Sequence, residues 1–163
     1  MSDTRTLVQS FVDAVNAADD QALLALLHDD FVDRTPNPLQ GTGRDAFVDK
    51  IRQLRTAFSN LRLRVEQVVA EGDRVTFLWT LTGTNDGPFA DQDPTGINVE
   101  FAGMTLERVS AGTIVEHWSI HDALSLFHHL GRLGSKKPRC QKSTRFSARS
   151  SDSARQHRSA VVS

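Results

Sequence analysis

Two acids and two histidines crowd the nine residues Ile114-Val115-Glu116-His117-Trp118-Ser119-Ile120-His121-Asp122. A carboxylate beside an apolar pocket can remove a proton from carbon next to a carbonyl, provided its pKa is lifted towards neutrality. The stretch reads as a strand that ends on Asp122. Side chains alternate across a strand, so Ile114, Glu116, Trp118 and Ile120 share one face and Val115, His117, Ser119 and His121 the other. Trp118 and Ile120 are then the neighbours expected to desolvate the Asp122 carboxylate and raise its pKa. Asp122 has a second role open to it. It stands just before the apolar pattern Leu124, Leu126, Phe127, Leu130, where an aspartate caps a helix. One carboxylate can do both.

The other polar candidates also have more than one role open to them. His117 and His121 are four apart on a strand, whereas a metal-binding pair at that spacing needs a helix. No Cys or carboxylate cluster completes a ligand set, so no metal is expected, and surface or dimer-face positions suit both histidines. Asp33 and Arg34 flank the loop Thr35-Pro36-Asn37-Pro38, where they border a pocket mouth or simply pair with each other. Asn85 can hold a substrate carbonyl by hydrogen bonding or serve as a turn residue in Thr84-Asn85-Asp86-Gly87. Trp79 is either plain core or a wall on which a ligand stacks. Gly41-Thr42-Gly43 lacks the third glycine of a phosphate loop, and no long strand precedes it.

Elements that position these residues follow from periodicity. Leu7, Phe11, Val15 and Ala18 predict a helix over Thr4 to Ala18, and Asp20 caps a second over Gln21 to Leu27. Phe31 to Arg34 is a short extended piece. Two prolines then force irregular backbone. Phe47, Ile51, Leu54 and Phe58 predict a third helix, from about Arg44 to Phe58. From Leu61 the period becomes two. A strand through Val69 turns at Glu71-Gly72-Asp73 into Val75 to Thr82, and a third strand runs from Val99 to Val109. Ala111-Gly112 leads into the 114–122 stretch, and Leu124 to Leu130 closes the domain as a short helix. Helices placed before a meander of strands predict an α+β fold in which a curved antiparallel sheet wraps around the N-terminal helices. The apolar interior of such a cone is a small-molecule pocket.

Composition sets further bounds. A chain of 163 residues suits one domain, with roughly two thirds of its unfolded surface buried. One cysteine, Cys140, excludes an internal disulfide framework. No basic-then-apolar leader and no membrane-length apolar run is evident, so a cytoplasmic location is expected. Residues 135–163 carry eight Lys/Arg and one acid, and the remaining 1–134 carry eleven Lys/Arg and nineteen acids. The predicted organisation is a folded domain over 1–134 and a basic, Ser/Arg-rich disordered tail over 135–163. The acidic body is not expected to bind nucleic acid.

Gly72-Asp73-Arg74-Val75, Trp79-Thr80, Gly83-Thr84, Pro94-Thr95-Gly96 and Ile114 to Trp118 followed by Asp122 occur in an order that resembles the SnoaL-like polyketide cyclases of the nuclear-transport-factor-2-like superfamily. The likeness covers about residues 5–131. It implies a cone-shaped α+β barrel, no metal, no organic cofactor, and a homodimer formed through the outer sheet face. It also implies that Asp122 is the acid/base for ring closure on an apolar, carbonyl-containing substrate, as a polyketide or ester cyclase or an isomerase. Trp118, Trp79, Asn85, Asp33 and Arg34 are the expected substrate contacts. Two departures stand out: Asn85 where many members carry His, and Arg34 where many carry His after Val32-Asp33. They leave room for a non-catalytic ligand-binding or dimerisation module, or for a cofactor-free epoxide or ester hydrolase.

Overall fold

The structure, a computed structural model, describes residues 2–38 and 40–131. The expected tail and Cys140 lie outside the described residues. The described chain forms α1 (Ser2–Ala17), α2 (Asp20–Leu26), β1 (Leu27–Asp33), α3 (Gly43–Ala57), β2 (Phe58–Glu71), β3 (Arg74–Asn85), β4 (Asn98–Ser110), β5 (Thr113–His121) and α4 (Ala123–His129). The strands make one five-stranded sheet in the order β1-β5-β4-β3-β2. All neighbours are antiparallel except β1 and β5, which run parallel. The α+β class is as the sequence predicts. Two details differ: the sheet is mixed and it is open. The short extended piece foreseen at Phe31 is a seven-residue strand beginning at Leu27, and it supplies the parallel edge.

Side-chain chemistry explains most boundaries. On α1, Leu7, Val8, Phe11, Val12, Ala14 and Val15 are buried, a wide stripe at helical spacing. Each large apolar side chain removed from water contributes about 1.5–3 kcal/mol. Asp19, rather than Asp20, caps α2, its carboxylate accepting from Ala22 N at 2.9 Å. Asp20 is engaged instead by Arg52 and Arg55 of α3. Phe58, expected to end α3, is wholly buried and opens β2, so α3 passes directly into the sheet. Gly72, with φ of +58°, makes the tight turn from β2 to β3.

One face of the sheet is covered by helices and one is not. Val75, Phe77, Trp79 and Leu81 of β3 face inward, as do Val99, Phe101, Thr105 and Glu107 of β4. They pack with Phe11, Phe31, Phe47 and Leu23 from the helical side and β1. On β5 the alternation is interrupted. Arg108 pairs with Glu116 and Val109 with Ile114, so Val115 is the extra residue of a bulge. The bulge puts Ile114 and His117, an odd number of residues apart, on the same inner face.

Candidate functional site

The inner face carries three polar rows, each set by strand register. Glu107 on β4 lies opposite His117 on β5, which neighbours Asp33 on β1. Two residues further along, Thr105 faces Ser119, and then Gly103 faces His121. On β3 the matching residues are Val75, Phe77 and Trp79.

The first row is the most buried. Glu107 and His117 are 1% and 4% exposed, and Glu107 Oε1 sits 2.9 Å from His117 Nδ1. The imidazole is edged by Phe47 at 4.7 Å and lies 6.4 Å from Phe31, centroid to centroid. Glu107 Oε2 is buried and has no hydrogen-bond partner. Burial pushes the Glu107 carboxyl pKa up, and His117 only partly offsets this. Beside them, Lys50 of α3 donates to Asp33 Oδ2 at 2.6 Å, and its ammonium stands 4.5 Å from the Phe47 ring centroid. Asp33 also accepts from Gln40 Nε2 at 3.0 Å and Thr35 N at 2.9 Å. Burial opposes the charge on Asp33, but Lys50 and these donors outweigh it and its pKa falls.

The second and third rows form a softer polar strip. Trp79 Nε1 donates to Thr105 Oγ1 at 2.9 Å, and Thr105 donates to Ser119 Oγ at 3.2 Å. Ser119 N in turn donates to Thr35 Oγ1 at 2.8 Å, which ties the 34–42 loop to β5. The indole lies flat over Gly103: a Cβ built there would fall 2.2 Å from Trp79, so only glycine leaves it room. Phe101 meets Trp79 edge-on at 6.0 Å and His121 at 5.9 Å. His121 is at the open end of this strip. Its ring is exposed, but partial desolvation and the nearby Lys50 charge lower its pKa, against an opposing pull from Asp122.

The sequence-predicted residues divide four ways. Trp79 and Asp33 belong to this inner face. Trp118 does not, because it sits on the outer face below the Arg74 guanidinium, 5.9 Å away. Arg34 also turns outward: it pairs with Glu116, which Arg108 holds from the other side, and not with Asp33. Asn85 is wholly buried and spent within the fold. Its amide donates to Ala57 O and Gly87 O, and its oxygen accepts from Thr95 N and Oγ1, which staples the 85–95 loop. The surroundings expected for Asp122 are corrected. Its carboxylate is exposed and caps α4, accepting from Ser125 N at 2.9 Å and Ser125 Oγ at 2.6 Å, and these bonds hold its pKa below the usual range. Ile120, the other expected neighbour, is 76% exposed.

His117, expected at the surface, is instead buried on the inner face. His121 is exposed, as expected, and its backbone register puts it at the solvent end of that same face. Lys50, Thr105, Glu107 and Ser119 are the functional candidates that periodicity alone passes over. A signal for Glu107 was present: an acid at an inward position of a strand whose alternate residues are apolar. Among the described residues no group of three or more His, Cys, Asp and Glu is arranged to hold a metal ion, and no helix is long and apolar enough to cross a membrane.

An open sheet laid over helices, apolar within and carrying a strip of titratable groups, places the molecule among α+β domains with one helix-covered sheet face. Within that class the assignment is direct: residues 5–130 match the family model of the SnoaL-like polyketide cyclases, and the chain belongs to that family. Among solved structures it is similar to TsrD from Streptomyces laurentii, with 26% identity over 81% of this chain and 97% of that one and a TM-score of 0.75. It is similar to AclR from Streptomyces galilaeus, a candidate hydroxylase, with 28% identity, 82% and 88% coverage and a TM-score of 0.74. IdmH from Streptomyces antibioticus, a candidate polyketide cyclase, matches at 26% identity, 78% and 97% coverage and a TM-score of 0.69. No curated protein matches.

Proposed function

We propose that the protein is a cofactor-independent cyclase or isomerase that moves a proton next to a carbonyl of an apolar small molecule. The base in this reading is His121. It is the titratable group at the open end of the inner strip, beside Phe101 and across from Gly103, whose missing side chain lets Trp79 lie flat. Partial desolvation and Lys50 favour its neutral form, and a neutral imidazole is what proton removal requires. Trp79 and Phe101 supply the aromatic wall. Family membership supports a small-molecule substrate. Asp122 is a weak base in its present setting, because ionisation is favoured by its Ser125 bonds and by exposure.

The observation that carries the reading is the register of His121, a solvent-accessible imidazole against Phe101, at the open end of the helix-covered, aromatic-lined face. The test is deuterium uptake at the α-carbon of a panel of aryl β-keto esters in D2O, followed by NMR. The wild-type protein is expected to accelerate uptake above the buffer rate. His121→Asn should lose roughly a hundredfold or more of that acceleration, in the range that a general base contributes. Asp122→Asn should keep it within a few-fold. Loss in Asp122→Asn with retention in His121→Asn would transfer the role to Asp122. Binding without uptake by the wild type would make the fold a ligand-holding module.

A further inference from the structure

We propose that Lys50 binds the substrate oxygen that becomes anionic when the α-proton leaves, so that α3 provides the oxyanion site of this inner face. The inference rests on the reading of His121 as base and adds the electrophilic half of the reaction.

Lys50 reaches into the inner face from α3, and its side chain is only 16% exposed. An ammonium has three N–H donors. One is given to Asp33, at 2.6 Å, and no other acceptor for Lys50 is seen among the described residues. Asp33 is well placed to hold the charge without moving: its own side chain is 4% exposed, and Gln40 and Thr35 fix both of its oxygens. The Phe47 ring below the ammonium, 4.5 Å from its centroid, favours a cation on its face and keeps water from that side. A cation so held needs no reorganisation when negative charge develops beside it, the condition under which an oxyanion site is worth most.

Lys50 contacts Asp33 from β1 and Phe47 from its own helix, Gln40 from the loop shares its Asp33 oxygen, and the charge of Lys50 is felt by Glu107 on β4 and His121 on β5. Two of these sense its charge in opposite ways. Lys50 favours the charged form of Glu107 and disfavours the charged form of His121, so it stands within electrostatic reach of both. Glu107 and His117 are bound to each other, which leaves Lys50 as the cation with donors to spare.

The step balances without a co-reactant. The substrate C–H bond breaks and an N–H bond forms on His121. The electron pair moves into the carbonyl, whose oxygen becomes the enolate oxygen beside Lys50. In ring closure the enolate carbon forms a C–C bond to a second carbonyl carbon of the same molecule, and the new alkoxide takes the proton back from His121.

The experiment uses the full chain and an aryl 1,3-diketone, whose enolate absorbs at longer wavelength than the neutral form. Titration of the diketone with protein in excess reads its apparent pKa when bound. Wild type and Lys50→Arg are expected to lower that pKa relative to free diketone, whereas Lys50→Met should bind the diketone with the lowering reduced by about one unit or more, a tenfold loss in ionisation. His121→Asn should slow α-proton exchange yet retain the Lys50 contribution, read as a bound pKa still lower in His121→Asn than in the His121→Asn, Lys50→Met double variant. Circular dichroism and melting of Lys50→Met confirm that it is folded. An unchanged bound pKa in folded Lys50→Met would overturn the oxyanion site. A wild type that lowers the pKa but exchanges no faster than buffer would overturn the His121 reading and leave Lys50 standing.

Discussion

Glu107 is the residue whose placement is hardest to justify by stability alone. A carboxyl with one oxygen unpartnered and no exposure is costly when ionised, and its raised pKa states that cost. The consequence for folding has a definite sign. The folded-state pKa lies above the unfolded value, so protonation of Glu107 favours the fold. That contribution is whole below the ordinary carboxylate range and is lost as pH rises through the folded pKa. Asp33 behaves oppositely: its lowered pKa gives stability above its unfolded value that is lost as pH falls. Glu107→Gln is therefore expected to flatten the decline in melting temperature on the alkaline side of pH 5 and to leave the acid limb, which Asp33 shares, in place. Melting curves from pH 4 to pH 9 check this. A variant whose alkaline decline matches the wild type would show that Glu107 is not titrating in the folded protein.

Among the elements, those with strong periodicity were legible in the sequence and those shaped by pairing were not. The stripe of Leu7, Phe11 and Val15 fixed α1 because helical burial is local. The face of β5 was assigned the wrong way round. Regular alternation puts Ile114 and Trp118 together, but the bulge at Val115 divides them, and a one-residue offset sends every following side chain to the other face. Nothing local in Val115 announces the bulge, since it arises from how β5 matches β4. The parallel edge strand β1 was likewise hidden, its partner lying more than eighty residues away. The corrected faces have a consequence for assembly. Leu78, Met104 and Ile120 are in register across β3, β4 and β5 on the outer face and are 38%, 53% and 76% exposed. Such an apolar row suits a second sheet. A homodimer through this face is the expected state by light scattering, with Met104→Lys shifting it to monomer while the melting of the monomer itself changes little. A monomeric wild type at tens of micromolar would contradict that assembly.

Across the whole molecule, the site and the family were read unequally from the sequence. Order and spacing of the Gly72-Asp73, Gly83-Thr84 and Glu116-His117-Trp118 motifs identified the family, and the family model over 5–130 agrees. The candidate site was only partly visible. Trp79 and Asp33 were named and lie on the inner face, but Lys50 and Glu107 come from separate elements that only the fold brings beside them. Asp122 shows why such a reading slips: one residue past the strand, the demand for a helix cap takes the carboxylate out of the interior. The most direct measurement is a crystal structure of the protein with an aryl 1,3-diketone bound. The diketone is expected on the helix-covered face against Trp79 and Phe101, one oxygen within hydrogen-bond reach of Lys50 and its central carbon toward His121. A diketone bound instead beside Trp118 on the outer face, or at Asp122 with the inner face closed, would contradict it.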